Sequence, residues 1–419
     1  MLSSNVSFFE GYDKLEVEKT HVLKYRTVED KKGNNFHIVL KTTPFYAESG
    51  GQVGDTGILI INGEEIEVLN TIKEDDLIIH VVNKLPNSDM LRNAQVSAKV
   101  NEKRRGLISK NHSVGHLLHA ALHQVLGKHA LQKGQSIDEN RLRFDFAHFN
   151  AVTKEELAQI ESIVNQRIRE NISLEEVRNM PIADAQKTGA IMLFGEKYGE
   201  TVRVITYDKN FSIELCGGTH VAATGEIGLC KIVSEGSVTA GVRRVEVLTD
   251  AVAENYLNEK VVLLQKAMEA FKNPKDLLKA ITDLQDSNKE LLKREEQSLL
   301  KEASMLQKTL KTEFEQHNGF NLLVKRIDLN DGKAIKTLVT NLEKEIGNAV
   351  ICLGSLSNEK GQITIQISDN LVKEKGFHAG NIVKQLNDGK GGGQPFFAAA
   401  GGIEVGVLDD TLEKFRQIL

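Results

Sequence analysis

Residues 250–315 contain no glycine and a single proline, Pro274, and this stretch constrains the fold more than any other. A run of that length without the residue that most weakens helices reads as helix, and the proline divides it in two. On the second helix Leu277, Ile281, Leu284, Asn288 and Leu291 follow heptad spacing. Asn288 falls at an interior position, where a polar group can set register. Two arrangements stay open: an antiparallel hairpin packing on itself, or a coil that pairs two copies of the chain. In either case the stretch is a helical linker between regions of different pattern.

Those regions are read from periodicity. Over residues 1–100 short runs rich in Val and Ile, at 21–28, 35–41, 57–61, 65–69, 77–82 and 95–100, predict strands. Asn62-Gly63 between two of them predicts a hairpin turn, because both residues tolerate positive φ. Many short strands with little helix imply a small β-barrel. Over 101–250 the pattern is mixed. Leu107, Val114, Leu117, Leu118, Leu122, Val125 and Leu126 recur at helical spacing up to Gly127, a C-cap. A second helix is expected at 153–169, and strands at 201–207, 228–234 and 243–248. Residues 316–419 return to α/β, with strands at 322–327, 349–353 and 362–367. The glycine-rich Gly389-Lys390-Gly391-Gly392-Gly393-Gln394-Pro395 lacks the Gly-Lys-Ser/Thr ending of a P-loop. The expected fold class is α+β: a small β-barrel (1–100), an α+β core (101–250), a helical linker (251–315) and a C-terminal α/β domain (316–419).

At 419 residues there is room for several cores. A net charge of −5 argues against a wholly basic nucleic-acid binder, so contact with an anionic polymer must use local patches. Cys216, Cys230 and Cys352 have unrelated spacings and give no disulfide framework. The N-terminus does not read as a signal peptide, and no apolar segment approaches the roughly 18 residues that span a membrane. A cytoplasmic protein without membrane contact is expected.

The chemistry lies in two places. Asn111-His112-Ser113-Val114-Gly115-His116 begins the first long helix, where histidines four apart share a face and can offer a nitrogen each to one metal. Glu214-Leu215-Cys216-Gly217-Gly218-Thr219-His220 follows at a strand end, its glycines letting the backbone turn so that Cys216 and His220 converge. Three imidazoles and a thiolate suit zinc. Spacing alone does not choose the helix pair, because His119 and His123 are also four apart on the same helix.

Resemblance makes the choice. The chain resembles the editing region of alanyl-tRNA synthetases and the related free-standing editing proteins. The resemblance is carried by the Pro44–Gly57 segment, the 111–116 element, Gln132-Lys133-Gly134, Arg143-Phe144-Asp145-Phe146, Phe194-Gly195-Glu196-Lys197-Tyr198, the 214–220 element and Gly241-Val242-Arg243-Arg244-Val245-Glu246. Residues 316–419 resemble the C-terminal domain of the same synthetases. The resemblance implies an editing core with zinc on His112, His116, Cys216 and His220, and hydrolysis of seryl or glycyl esters of tRNA(Ala), with tRNA(Ala) as partner. It places Gln132 near the pocket, as a group positioning substrate or water. A possible partner is a second copy of the chain, in a homodimer through the helical and C-terminal regions. The Phe9-Glu10-Gly11-Tyr12-Asp13 segment resembles a junction inside full-length synthetases, so a piece of such a protein without its aminoacylation domain is expected.

One departure stands out. The family usually has threonine, associated with reading a serine hydroxyl, where this chain has Gly115. Lys103, Arg104, Arg105 and Lys110 crowd the start of the helix and could hold phosphates of the acceptor end. Two rival readings remain: a non-catalytic tRNA-binding and dimerisation module with structural zinc, and, ranked last, a phosphoesterase of the Asp-His-His type, for which no such triplet occurs.

Overall fold

Alternation along Glu64–Glu74 and Gln95–Val100 turns Ile66, Val68, Val96, Ala98 and Val100 inward, while Glu65, Glu67 and Lys99 face water. Six such strands close into a barrel in the order Glu16–Asp30, Gly33–Leu40, Leu77–Val82, Glu64–Glu74, Gly57–Ile61, Gln95–Val100. Closure removes the sheet edges and buries one apolar face, as the short-strand pattern predicts. The Asn62-Gly63 turn has φ of 53° and 85°, so both residues take the left-handed conformation the hairpin needs. The computed structural model describes residues 6–30, 33–86, 91, 94–192, 198–357 and 359–419, and divides into two units, Met1–Lys266 and Ala267–Leu419.

In the first unit the barrel is joined to a mixed core. Helix α1 (Glu102–Leu126) starts earlier than the hydrophobic pattern suggests, because the Asn101 side chain caps it by accepting from the Arg104 N–H. Gly127 ends it with φ 108°. Helix α2 (Lys154–Arg169) opens on a capping box between Thr153 and Glu156. Val114, Leu117, Leu118, Ala121 and Leu122 of α1 pack with Ile160 and Val164 of α2 and with Phe144, Phe146 and Val245 of an antiparallel sheet. That sheet runs Cys230–Thr239, Val242–Thr249, Leu142–Ala147, Gln132–Ile137; a smaller one runs Glu175–Pro181, Thr201–Tyr207, Ser212–Leu215. The strand expected at 228–234 begins at Cys230, because Thr224–Ile227 forms a 3-10 turn that Gly228 ends at φ 76°. Two of the motifs are cross-strand partners: Asp145 pairs with Arg244, whose Nε lies 2.6 Å from its Oδ1.

In the second unit a six-stranded sheet runs Glu315–His317, Phe320–Arg326, Ala349–Ser357, Lys360–Ile367, Phe397–Ile403, Gly392–Gly393, with one parallel pair, Phe320–Arg326 on Ala349–Ser357. The glycines near the end serve close packing: a Cβ on Gly391 would lie 2.5 Å from that of Ala400, and one on Gly393 2.2 Å from the Phe397 oxygen. The two linker helices are Asp250–Ala270 and Leu277–Leu310. Pro274 lies in the break, flanked by Lys272 and Asn273 at positive φ and by Asp276, which caps the second helix. Leu310 and Ala303 of that helix are buried with Ile335 and Leu338. Along the second helix Leu284 and Leu291 form an apolar stripe at heptad spacing, 59 % and 62 % exposed. No helix among the described residues is long and apolar enough to cross a membrane.

Candidate metal centre

His112 and His116 lie one turn apart on α1, inside the buried segment Asn111–Leu122. Across from them the Ser212–Leu215 strand ends and the chain turns through Cys216 to His220. The ligand atoms of His112, His116, Cys216 and His220 all lie within 4.8 Å of one another. Zinc–sulfur and zinc–nitrogen bonds of about 2.3 and 2.0 Å at tetrahedral angles put sulfur and nitrogen about 3.5 Å apart. Cys216 Sγ lies 3.3 Å from both His112 Nε2 and His220 Nε2, close to that edge.

The rest of each ring is occupied in a way that suits a metal. His112 Nδ1 lies 2.7 Å from Gln52 Oε1, an acceptor, which leaves the Nε2 lone pair facing the cluster. His220 Nδ1 lies 3.1 Å from Ser113 Oγ. His116 Nδ1 is a buried nitrogen with no partner among the described residues, while its Nε2 lies 3.7 Å from Glu214 Oε2. A buried polar atom without a partner is costly, and a metal at the cluster would satisfy it. Burial holds His112 and His220 well below the usual histidine range, with nearby histidines and Arg203 adding to the effect. Burial also lowers His116, against the opposing pull of Glu214. Neutral imidazoles are the ligating form. The residues fit the zinc that the resemblance implies.

The loop is held from behind. Arg203 Nη1 donates to the carbonyls of Cys216 (3.0 Å) and Gly218 (2.6 Å), and its Nε to Glu176. The Tyr12 hydroxyl donates to Gly217 O, and the Arg203 guanidinium stacks 3.9 Å over its ring. Gln52 accepts from the Thr219 N–H at 3.0 Å. The glycines do not act through torsion, as the sequence suggests: neither Gly217 nor Gly218 has positive φ. Gly218 is needed for space, since a Cβ there would sit 2.0 Å from His112 Cε1; Gly217 has open space around it.

The second helix pair has a different setting. His119 Nε2 accepts from the Gln132 N–H at 3.3 Å, so its Nδ1 donates to Glu214 Oε1 at 3.1 Å. The His123 ring lies 4.5 Å from that of His119, outside the cluster. Glu214, pushed up by burial, is nonetheless held below its ordinary value by His116 and His119. Gln132 reaches this network through its backbone. Glu214, Gln52, Ser113, Tyr12 and Arg203 are the residues that the sequence reading missed as site groups. All of them but Arg203 lie inside segments already singled out, which is the signal that could have found them.

The basic cluster is mostly committed elsewhere. Arg105 is buried against Asp55 and donates to the carbonyls of Gly11 and Pro44; Asp55 also accepts from the Tyr46 N–H. Arg104 bonds Gly54 O and Glu139, and Lys110 pairs with Asp250, leaving Lys103 exposed. The expected phosphate-binding role is corrected for Arg105, whose charge holds the Pro44–Gly57 segment in place. Residues 194–197 of the motif ending at Tyr198 lie outside the described residues.

Comparison with known proteins covers both units. Residues 3–104, which include the barrel, match the family described as tRNA synthetases class II (A). Residues 202–246, which include Cys216 and His220, match the Threonyl and Alanyl tRNA synthetase second additional domain, and residues 319–419 match the DHHA1 domain. An alanine--tRNA ligase of Cytophaga hutchinsonii is 47 % identical over 414 residues, covering 98 % of this chain and 47 % of that protein. One of Bacteroides thetaiotaomicron is 45 % identical over 422 residues, covering 100 % and 47 %. The crystal structure of the C-Ala domain from Aquifex aeolicus alanyl-tRNA synthetase is 18 % identical over 25 % of this chain and 96 % of its own, with a TM-score of 0.23. The chain spans about half the length of the curated relatives it matches. With matches running through both of its units, the chain belongs to the alanyl-tRNA synthetase family.

Proposed function

We propose that the first unit is a zinc-dependent hydrolase that removes serine or glycine from mischarged tRNA(Ala), working in the cytoplasm, and that the C-terminal unit binds the same tRNA. The observation that supports it is the cluster of three neutral imidazoles and one cysteine, in which His112, His220 and Cys216 are each held by a separate partner. Zinc bound there would supply a positive centre that draws in and polarises the aminoacyl ester. The chain's own groups do the rest. Gln52 and Ser113 orient His112 and His220, Glu214 orients His116, and Arg203 with Tyr12 keeps the loop at its distance. Gln132 begins the strand beside His119, and its carboxamide positions the substrate or the attacking water. Water attack on the ester carbon releases the amino acid and leaves a free hydroxyl on the terminal ribose. The homologues' name, alanine--tRNA ligase, supports tRNA(Ala) as the substrate carrier.

Four protein donors form a closed set, as in structural zinc sites. That favours a second reading, a tRNA-binding and dimerisation module with zinc as a staple. Deacylation of Ser-, Gly- and Ala-tRNA(Ala), run beside circular dichroism before and after chelation, separates the two. Hydrolysis lost on chelation with the fold retained supports the hydrolase. A folded, zinc-loaded protein inert on all three esters leaves the module.

A further inference from the structure

Gly115 is not explained by crowding. A Cβ at this position would lie 3.5 Å from Leu142 Cδ2 and 3.8 Å from Gln135 Oε1, ordinary van der Waals contact. Mid-helix glycine weakens a helix by about 1 kcal/mol relative to alanine, so the residue stands at a cost with no steric demand behind it. What faces the bare backbone is the Leu142 side chain and, beside it, the Gln135 carboxamide. Its Nε2 donates to Gly50 O at 2.8 Å, and its Oε1 has no donor among the described residues.

The same side chain returns to the metal cluster by two routes. Gly115 immediately precedes His116. Gly50 opens the turn whose Gln52 Oε1 lies 2.7 Å from His112 Nδ1. The turn is pressed onto Gln135, because a Cβ on Gly51 would be 2.3 Å from the Gln135 backbone carbonyl oxygen. An acceptor with an unused lone pair is thus pinned between the segments that carry or brace two candidate ligands, over a helix position stripped of its side chain.

We propose that Gln135 is a specificity-determining residue, its Oε1 accepting the hydroxyl of a seryl ester in the space left open at Gly115. The proposal rests on the hydrolase reading above. A glycyl ester has no group for this acceptor, so the site discriminates by hydrogen bonding, which is stronger than discrimination by size.

The test uses the full zinc-loaded chain and compares kcat/KM on Ser-tRNA(Ala) and Gly-tRNA(Ala). Gln135→Ala is expected to lower the seryl value at least about tenfold while the glycyl value stays within about twofold, with zinc content unchanged. An unchanged ratio in Gln135→Ala, or an equal fall on both esters, overturns the proposal. If the unaltered chain cleaves neither ester while retaining zinc, the hydrolase reading itself falls, and the proposal with it.

Discussion

Helix α1 carries two histidine pairs of identical spacing on one face, and they meet opposite fates. His112 and His116 converge with Cys216 and His220 into a four-donor cluster. One turn further on, His119 is tied to Glu214 and the Gln132 backbone, and burial holds His123 down to about 4. Periodicity makes the face, but the segment arriving from across the core decides what each half of it does. The Cys216–His220 loop can reach only the first pair, because Gly218 lets it press against the His112 ring. Glu214, two residues before that loop, stands between the pairs and touches both.

The comparison breaks most visibly at His116. His116→Ala is expected to remove zinc measured by elemental analysis and to bring hydrolysis of Ser- or Gly-tRNA(Ala) to background. A variant that kept its metal would mean the wrong pair had been chosen. The next effect is at the link. Glu214→Gln keeps the shape but removes the charge between His116 and His119, and loss of such an outer partner lowers metal affinity about 10–100-fold. A competition titration with a chelator measures it, with circular dichroism to show that the fold is kept. Unaltered affinity would make the two pairs independent. The smallest effect is at His123. His123→Ala should leave zinc content unchanged and activity within about twofold, because its ring is neither a ligand nor bonded to one. A drop as deep as that of His116→Ala would dissolve the distinction between the pairs.

Parts of the site were legible early because they are local. The spacing of His112 and His116, the Cys216–His220 element and the Asn62-Gly63 turn each depend on residues a few positions apart. The supports were harder to see. Gln52 was visible only as one residue of a glycine-rich segment, and it acts on His112 from 60 positions away. Arg105 read as one of several phosphate-seeking cations, whereas its burial against Asp55 depends on how the barrel meets α1. The stripe with Leu284 and Leu291 read as a seam, because heptad spacing records an apolar face without saying what covers it.

By itself the sequence determined the barrel strands, the helix that bears the histidines, the linker helices and the set of residues able to hold a metal. Hydrophobic period, turn residues and caps are short-range properties that survive in any context. Only the tertiary structure decided which nitrogens of His112 and His220 face the cluster, and why Gly218 and not Gly217 is sterically required. Those answers depend on contacts between segments as much as 107 positions apart, where close packing and hydrogen-bond satisfaction act across the core and leave no periodic trace along the chain.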